Sequence, residues 1–279
     1  MEERPETSSA IIAVAPNGAR RTKADHPATP LRADEIAEDA AACCDAGATL
    51  IHLHVRDDEG HHSLDPQIYR AATDAIRTKL DKRMLVQVST ELAGVYDTAD
   101  QMSLVEALDP DAASIALREL MPDASAEANA ARFLERVCAR KTAVQYILYS
   151  PDDVRRYERL CREELIPRSP QLPLLVLGRH AEGGAHVGEL ASFVEALPER
   201  TPHMVCAFGS EEPKIMQEVL RVGGHCRVGF ENNLCLRDGS TAPDNAAVVA
   251  ATVSLAHAIG RTVADAGETR SLLGIRNTG

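Results

Sequence analysis

Eight short apolar runs, rich in β-branched residues, recur along the chain and constrain its fold more than any other feature. They cover residues 10–15, 49–55, 84–88, 112–117, 142–148, 173–177, 203–207 and 226–230. Longer stretches separate the runs and carry Ala, Leu, Val or Ile at three- and four-residue spacings, which is typical of helices. These stretches span residues 34–46, 65–80, 126–140, 152–164, 188–197 and 210–221. Because several runs are almost wholly apolar, they are typical of parallel strands buried on both faces.

Eight strand candidates, alternating with helices in a chain of 279 residues, predict an α/β fold of the (β/α)8 TIM-barrel type. A doubly wound open sheet is the alternative, but no G-x-G-x-x-G motif follows the first run. The chain contains no linker, low-complexity tract or internal repeat. We therefore expect a single domain over residues 1–279, with residues 1–9 as a flexible N-terminal tail.

Composition narrows the range of partners. Hydrophobic residues make up 44% of the chain, and 42 acidic against 30 basic residues give a net charge of -12. Aromatic residues reach only 3%, without any Trp. Nucleic acids and anionic membranes require a broad basic surface, and single-stranded nucleic acids also stack on aromatic rings. We therefore expect no nucleic-acid or membrane partner, and anionic substrates must be bound by a few local cationic groups.

Cysteine usage and hydropathy favour a cytoplasmic protein. The seven cysteines are odd in number, form no C-x-x-C motif and lie mostly in apolar runs, which is typical of reduced, buried thiols. The apolar residues 10–15 are too few for the core of a signal peptide. The apolar window 246–260 is shorter than the roughly 20 residues of a transmembrane helix.

Polar residues stand where the predicted strands end. In a (β/α)8 barrel, catalytic residues lie at the carboxyl ends of the strands. Read in chain order, the polar residues at these ends are Asn17, His52, His54, Ser89, Thr90, Glu91, Ser114, Gln145, Tyr146, Arg179, Ser210, Arg227, Glu231 and Asn232. We therefore expect the active site to be built from this set.

The pair His52 and His54 is the sharpest signal in the set. Residues two apart in a strand point to the same side, so both imidazole groups enter the same space. Two His nitrogens, one carboxylate and an open coordination position make a catalytic zinc site, and Glu231 is placed to supply the carboxylate. The alternative is that the two histidines only fill the lumen of the barrel.

The loop after this pair, residues 57–65, is rich in charge and contains His61 and His62. Its glycine and its many charged residues favour a solvated connection between a strand and a helix. The functional alternative is that the loop contacts the metal-binding histidines from behind and orients them.

Residues 47–65, with the sequence G-A-T-L-I-H-L-H-V-R-D-D-E-G-H-H-S-L-D, resemble the zinc motif of the β-keto acid cleavage enzymes. The resemblance continues in A-P-N-G-A at 15–19, Q-V-S-T at 87–90, L-V-L-G at 175–178 and G-G-H-C-R-V-G-F-E-N-N at 223–233. These segments cover nearly the whole chain in the order that the family shows. The resemblance implies a (β/α)8 barrel and a homo-oligomer, a homotetramer or a homodimer.

The resemblance also implies a reaction, in which a β-keto acid and acetyl-CoA give acetoacetate and a new acyl-CoA. One Zn²⁺ per chain, held by residues matching His52, His54 and Glu231, would bind the ketone and carboxylate oxygens of the keto acid. Removal of an α-proton leaves an enolate, whose charge a divalent Lewis acid stabilises. The enolate attacks the acetyl thioester, CoA moves to the other carbonyl group, and a retro-Claisen step breaks the carbon–carbon bond.

Short polar side chains match the substrate-binding positions of the family. Ser89 and Ser114 match residues that hold the carboxylate or the developing oxyanion, a task that suits hydroxyl donors. Thr90 either shares that role or caps the next helix. Asn17 either donates a hydrogen bond to the substrate or belongs to a Pro-Asn-Gly turn.

The chain departs from the family at the proton-transfer group. Arg227 matches an arginine that acts with an acid, but Asn232 occupies the position of that acid, in Glu-Asn-Asn rather than Glu-Asp-Asn. Because an amide side chain is not a proton acceptor, another group replaces it or the mechanism is shifted. Glu91 is the candidate, since several relatives have Gly there; the alternative for Glu91 is an acid favoured at a helix start.

A second departure concerns the tail of the substrate. Family members that take amino-bearing keto acids place Glu three residues after the position of Asn17, where this chain has Arg20. They also carry Glu near the end of the fifth strand, where this chain offers Gln145 as a substrate contact. A cationic tail would meet Arg20 unfavourably, so we expect a neutral or anionic tail, unless Arg20 faces solvent.

Two other classes of protein compete with this interpretation. A zinc hydrolase of the amidohydrolase type also uses His-x-His on a barrel strand, but normally on the first strand and with further His and Asp ligands on later strands. The non-catalytic alternative is a metal-bearing barrel that binds an acyl-CoA or an acid without turnover, with Asn232 marking the lost activity.

Overall fold

The first and the last strand of the barrel pair with each other and so close a ring of parallel strands. The computed structural model describes residues 9–167, 172–178 and 184–275. Its strands are β1 (Ile12–Val14), β2 (Leu50–Leu53), β3 (Val55–Arg56), β4 (His62–Ser63), β5 (Leu85–Ser89), β6 (Ala112–Ala116), β7 (Ala143–Leu148), β8 (Leu174–Leu177), β9 (Met204–Ala207) and β10 (His225–Val228).

The ring contains eight of these strands, in the order β1–β2–β5–β6–β7–β8–β9–β10, and each overlaps one of the eight apolar runs. The predicted (β/α)8 barrel is therefore confirmed. The other two strands, β3 and β4, form a small antiparallel pair in the loop after β2. Residues 1–8 of the predicted tail and Arg179 lie outside the described residues.

Helices surround the ring: α1 (Ala33–Asp45), α2 (Pro66–Leu80), α3 (Thr98–Leu108), α4 (Leu117–Leu120), α5 (Ala124–Ala139), α6 (Pro151–Arg162), α7 (Glu189–Ala196), α8 (Glu212–Arg221), α9 (Asn245–Ala258) and α10 (Ala266–Leu272). The six predicted helices agree with the structure to within two residues at each end. Four others were not predicted; α9 is apolar around most of its circumference, and α4 and α10 are short. In the described part of the chain, no helix combines the length and the apolarity needed to cross a membrane.

Side-chain caps fix where several helices begin. Asp65 accepts a hydrogen bond from the backbone N–H of Gln67 and precedes Pro66, whose missing N–H is not needed in the first turn. Ser150 caps α6 in the same way, just before Pro151. These caps define the residues at which α2 and α6 begin.

Alternation within β2 separates two apolar layers and sets the position of the first histidine. Ile51 and Leu53 pack in the core between sheet and helices, whereas Leu50 belongs to the cluster inside the ring. His52 shares the side of Leu50 and lies closer to the carboxyl end of the strand. This register brings the His52 imidazole to the mouth of the barrel, where active sites of this fold lie.

One strand end differs from the prediction, since β10 stops at Val228 and Glu231 belongs to the loop after the strand. The end of β7 at Leu148 agrees with the predicted run. Gln145 therefore lies in mid-strand and not at a strand end, where it was expected from the sequence.

Candidate metal and active site

His52, His54 and Glu231 meet at the mouth of the barrel. The Nε2 atoms of the two histidines lie 3.0 Å apart. Glu231 Oε2 is 3.8 Å from His52 Nε2, and Glu231 Oε1 is 3.9 Å from His54 Nε2. All three residues are buried. The fold thus brings together the three side chains that the sequence indicated as metal ligands.

This set of donor atoms fits a divalent metal ion. One ligand atom from each residue lies within 4.8 Å of the other two. Two nitrogen ligands of a tetrahedral zinc ion lie roughly 3.3 Å apart, close to the separation of the two Nε2 atoms. Burial lowers the pKa of both His52 and His54 well below the usual value, so both rings are neutral. Neutral imidazole is the form that binds a metal.

Neighbouring polar groups hold the far edge of the His52 ring. Its Nδ1 lies 3.0 Å from Gln87 Oε1 and 3.3 Å from Ser114 Oγ. An amide oxygen can only accept, so Gln87 keeps the proton on Nδ1 and leaves the Nε2 lone pair for a metal. The sequence did not identify Gln87, because a mid-strand glutamine carries no signal of such a role.

The charged loop after β2 has two parts with different environments. The ring of His62 lies 5.4 Å from that of His54, centroid to centroid, and His62 Nε2 is 2.8 Å from the backbone O of Glu91. His62 therefore lies next to the ligand candidate His54. This agrees with the alternative in which the loop contacts the metal-binding histidines. In the same loop, His61 is exposed beside Asp57, as expected for a solvated connection.

Asn245 fixes the backbone around Glu231. Its Oδ1 accepts from the N–H of Phe230 at 2.8 Å, and its Nδ2 donates to the carbonyl of Pro16 at 3.2 Å. Glu231 itself donates its N–H to the carbonyl of Ala15 at 3.1 Å. These bonds tie the loop after β10 to the end of β1. Asn245 is fully buried at the start of α9. The sequence pattern did not identify it, because that pattern concerns only residues at strand ends.

Gly18 makes room for the Glu231 side chain. It has a φ of +59°, and a Cβ at this position would lie 2.6 Å from Glu231 Cγ. Other residues would be both strained in this left-handed conformation and in collision with the carboxylate stem. The glycine of the Pro-Asn-Gly segment is therefore required by the neighbouring ligand candidate.

Arg227 is buried beside the three metal-ligand candidates. Its Nη2 lies 3.5 Å from Glu231 Oε1 and 3.4 Å from Cys206 Sγ. Its Nε and Nη1 have no partner among the described residues. A buried guanidinium with donors to spare is suited to a carboxylate or to negative charge that develops during a reaction.

Asn232 does not line the cavity that opens above the three metal-ligand candidates. Its Nδ2 is 3.4 Å from the backbone O of Arg227, and its Oδ1 has no partner in the described part of the chain. The side chain is fully buried and does not line the cavity. The structure thus differs from the expectation of Asn232 as a catalytic residue, because its amide is turned to the backbone that precedes it.

A cavity of about 420 Å³ opens above the metal-ligand candidates. The predicted site residues that line it are Asn17, Arg20, His52, Ser89, Glu91, Arg227 and Glu231. Arg21, next to Arg20, lines the cavity as well. Further lining residues, which the sequence did not indicate, include Arg118, Glu119, Ile147, Tyr149, Val176 and Phe208. A search for polar residues at strand ends does not identify them, because they are apolar or lie beyond the expected strand ends.

Three predicted substrate contacts are instead used within the protein. Thr90 Oγ1 donates to the carbonyl of Ser114 at 2.9 Å, so Thr90 neither caps a helix nor reaches the cavity. Gln145 donates to the carbonyl of Leu172 at 3.0 Å and accepts from Gln87 at 3.1 Å. Ser114 and Gln145 are register partners in mid-strand, which puts both below the mouth of the barrel.

Asn17 has the second of the two roles that the sequence left open, since it holds a turn. Its Nδ2 donates to the carbonyls of Pro30 at 2.9 Å and His54 at 3.2 Å, so the side chain holds the local turn. Its Oδ1 has no partner within the described residues, and the residue lines the cavity. Asn17 can therefore accept a hydrogen bond from a substrate, but its own donors are already engaged.

Arg20 and Glu91 form an ion pair across the mouth of the cavity. Arg20 Nη1 lies 2.9 Å from Glu91 Oε1, and the Arg20 side chain is 67% exposed. The pair neutralises the charge by which Arg20 was expected to select the substrate tail. Glu91 does not start a helix, since α3 begins only at Thr98.

Glu119 is a further carboxyl group of the cavity. It lies in the short helix α4, with Oε2 3.4 Å from Gln101 Nε2. Burial, reinforced by the negative charge of Glu91, raises the pKa of Glu119 to about 7. A carboxyl group with this pKa in a cavity can hold or release a proton near neutral pH.

Comparison with known proteins agrees with this arrangement. A 3-oxoadipate:acetyl-CoA acetyltransferase from Cupriavidus necator is 29% identical over 96% of this chain and 96% of its own. A 3-keto-5-aminohexanoate cleavage enzyme from Fusobacterium nucleatum is 28% identical over 95% of this chain and 98% of its own. Both relatives are therefore similar along their whole length.

Solved structures support the fold, and a family model identifies the family. The apo structure of ObcA superposes with a TM-score of 0.72 at 16% identity, over 89% of this chain and 66% of the ObcA chain. At this identity the likeness concerns the fold alone. The family model of the β-keto acid cleavage enzymes matches residues 9–275, which is nearly the whole length. The chain belongs to the β-keto acid cleavage enzyme family.

Proposed function

We propose that this protein is a metal-dependent β-keto acid cleavage enzyme, which converts a β-keto acid and acetyl-CoA into acetoacetate and a new acyl-CoA. The observation that carries the proposal is the buried set of His52, His54 and Glu231 at the floor of a cavity, with Arg227 beside it. The names of the two relatives, an acetyl-CoA acetyltransferase and a keto acid cleavage enzyme, support the same class of reaction.

We infer that the metal is zinc, held by His52, His54 and Glu231. A bound Zn²⁺ supplies a Lewis acid that lowers the cost of negative charge on the ketone oxygen of the keto acid. The Gln87 amide orients His52 for this task, and Asn245 holds the loop of Glu231. The protein thus contributes a preformed ligand set, which spares the reorganisation that binding would otherwise require.

The other residues of the cavity bind the substrate and exclude water. Arg227 binds the substrate carboxylate or the oxyanion through its unengaged Nε and Nη1 donors. Ser89 lines the cavity, and its hydroxyl is a further donor to the same charge. Apolar walls from Ile147, Val176 and Phe208 exclude water from the reacting carbons.

Glu91 takes over the proton transfer in this proposal, because Asn232 is neither acidic nor in the cavity. The Glu91 carboxylate accepts the α-proton of the keto acid, and the resulting carbanion forms a bond to the acetyl carbonyl carbon as the CoA thiolate leaves. The thiolate then adds to the original ketone carbon, and the bond between that carbon and the α-carbon breaks. The α-carbon recovers the proton from Glu91, which yields acetoacetate and the new acyl-CoA.

The assembly and the location stay predictions. A homotetramer or homodimer and a cytoplasmic location follow from the resemblance and from the composition respectively. Cross-linking and sedimentation of the purified protein would measure the assembly.

The direct test mixes metal-loaded protein, acetyl-CoA and a panel of β-keto acids, and measures acetoacetate. We expect acetoacetate with the wild type and none with His52→Ala, which lacks a ligand to the metal. His61→Ala is the matched control, because His61 belongs to the exposed cluster of the same loop and should leave turnover unchanged. Stoichiometric binding of the substrates without acetoacetate would favour the non-catalytic alternative.

A further inference from the structure

The arginines of the cavity differ in how their charge is balanced. Arg20 pairs with Glu91 at 2.9 Å, Arg21 with Asp25 at 3.5 Å, and Arg227 with Glu231 at 3.5 Å. Arg118 is the fourth arginine of the lining. It makes no ion pair with any carboxylate in the described part of the chain, so its positive charge is left for something that enters the cavity.

Arg118 is held in place by an aromatic ring. Its guanidinium carbon lies 3.6 Å from the centroid of the Tyr149 ring. Stacking on an aromatic face uses the flat side of the guanidinium and leaves the N–H groups at its edge for a planar anion. The next residue, Glu119, forms no ion pair with the Arg118 guanidinium. Its Oε2 lies 3.4 Å from Nε2 of Gln101 instead.

The cavity is divided into a metal end and an apolar end. The ligand candidates come from β2 and from the loop after β10, which are next to β1 in the ring. The opposite wall, formed by the ends of β6, β7 and β8, contributes Ala116, Ile147 and Val176. Arg118 follows Ala116 of this apolar wall by two positions and is the second residue of α4. A substrate whose head is at the metal end would therefore run along apolar groups before it meets a cation.

We propose that Arg118 binds a carboxylate at the far end of the substrate tail, so that the preferred substrate is a β-keto diacid with an aliphatic middle. This inference rests on the proposed function and names its substrate class. It moves tail selection from Arg20, which Glu91 neutralises, to Arg118. Arg118 is a specificity-determining residue in this view and takes no part in the carbon–carbon chemistry.

The test compares two substrates of equal chain length, 3-oxoadipate with two carboxylates and 3-oxohexanoate with one. Arg118→Met keeps most of the apolar stem and removes the charge. We expect kcat/KM for 3-oxoadipate to fall at least tenfold, mainly through KM, while kcat/KM for 3-oxohexanoate and the KM of acetyl-CoA stay within twofold. Arg118→Lys should recover only part of the loss, because an ammonium group cannot bind a carboxylate in the bidentate manner.

Arg20→Met is compared by calorimetric binding of 3-oxoadipate, which needs no proton transfer, because its ion-pair partner Glu91 is the proposed base. A similar loss of affinity in this variant would mean that only the total charge matters and would overturn the assignment. An equal loss for both keto acids, or a raised KM for acetyl-CoA, would also overturn it, the latter by assigning Arg118 to the CoA phosphates.

A binding measurement separates this inference from the proposed function. Calorimetric titration of 3-oxoadipate into metal-loaded wild type and Arg118→Met needs no turnover. If no acetoacetate forms but the wild type still binds 3-oxoadipate at least tenfold more tightly than the variant does, the proposed function fails and the Arg118 site stands. If acetoacetate forms and the two affinities are equal, only the Arg118 assignment fails.

Discussion

Gln87 Oε1 lies 3.0 Å from His52 Nδ1, while Nε2 of the same ring faces His54. The glutamine therefore sets the tautomer of a metal-ligand candidate from inside the barrel. Replacement by the apolar, similarly sized Leu removes the acceptor and lets the ring turn. We expect Gln87→Leu to weaken zinc binding by about 10- to 100-fold, measured by competition with a chelator.

Gln101→Leu is the control for this prediction. Gln101 is an equally buried amide, but it donates to the carbonyl of Thr90 and does not touch a histidine. Its loss should lower the free energy of unfolding by about 1–3 kcal/mol without changing the zinc affinity. Equal zinc affinities of the Gln87 and Gln101 variants would contradict the proposed role of Gln87.

Gly18→Ala should displace Glu231. The new methyl group would lie 2.6 Å from Glu231 Cγ, so the carboxylate must move or the loop must shift. We expect a loss of zinc affinity of at least tenfold, measured by titration. Gly60→Ala is the matched variant: Gly60 also has a positive φ, but an added Cβ there meets no atom within 4 Å. It should lower stability by about 1 kcal/mol through backbone strain and leave zinc binding intact.

Asn245→Ala should affect both stability and the metal site. It leaves the N–H of Phe230 and the carbonyl of Pro16 without their partner in a buried region. Each unsatisfied group costs about 1–3 kcal/mol, so denaturant unfolding of the metal-free protein should show a loss of several kcal/mol. Zinc affinity should fall as well, because the loop of Glu231 loses its anchor. Unchanged zinc affinity would show that Ala15 alone positions this loop.

Glu91→Gln tests the proton transfer. Removal of a general base typically lowers kcat by about 10²–10⁴-fold, and we expect a loss in this range with little change in KM for acetyl-CoA. Glu119→Gln provides the comparison, since Glu119 is the other cavity carboxyl group that is not a ligand candidate. A larger loss in Glu119→Gln than in Glu91→Gln would transfer the role of base to Glu119.

His225 should make the fold sensitive to acid. Burial, reinforced by the charge of Arg261, lowers the pKa of His225 to about 3, and its Nδ1 accepts from the N–H of Ile11 at 2.9 Å. In the unfolded chain this histidine titrates near pH 6.5. Only the unfolded state therefore binds the proton as the pH falls from 6.5 towards 3, so the stability contributed above pH 6.5 is lost over that range.

The measurement is the free energy of unfolding at pH 7 and at pH 4, with a chelator present. Neutral Asn can still accept from Ile11 but does not titrate, so His225→Asn should lose less stability than the wild type, by about 3 kcal/mol. His61→Asn, which changes an exposed histidine, should behave like the wild type. Parallel pH profiles for all three proteins would refute the role of His225.

The barrel and the candidate metal ligands could be predicted because both depend on local patterns. Apolar runs of strand length and the spacing of His52 and His54 are visible in a few consecutive residues. The position of Glu231 needed only the rule that strand ends share one face. The expected place of Gln145 at a strand end does not match the structure, because the residue lies in mid-strand of β7, where its amide bonds to Gln87 and Leu172.

Contacts between loops could not be predicted from the sequence. Arg20 and Glu91 are far apart in the chain, and the sheet order β1–β2–β5 brings the loops after β1 and β5 together. Arg118 in α4 and Tyr149 just after β7 likewise come from separate segments of the chain. The pairing of such side chains decides which charges remain for a ligand, so the charge of the cavity cannot be derived from composition alone.

The closure of the ring between β1 and β10 has a consequence for biosynthesis. His52 and His54 leave the ribosome before Glu231 and before the Asn245 that anchors its loop. A nascent chain therefore carries the two imidazole candidates without their carboxylate until β10 and the loop after it have been translated. Binding of a metal ion by all three candidates would become possible only at that point.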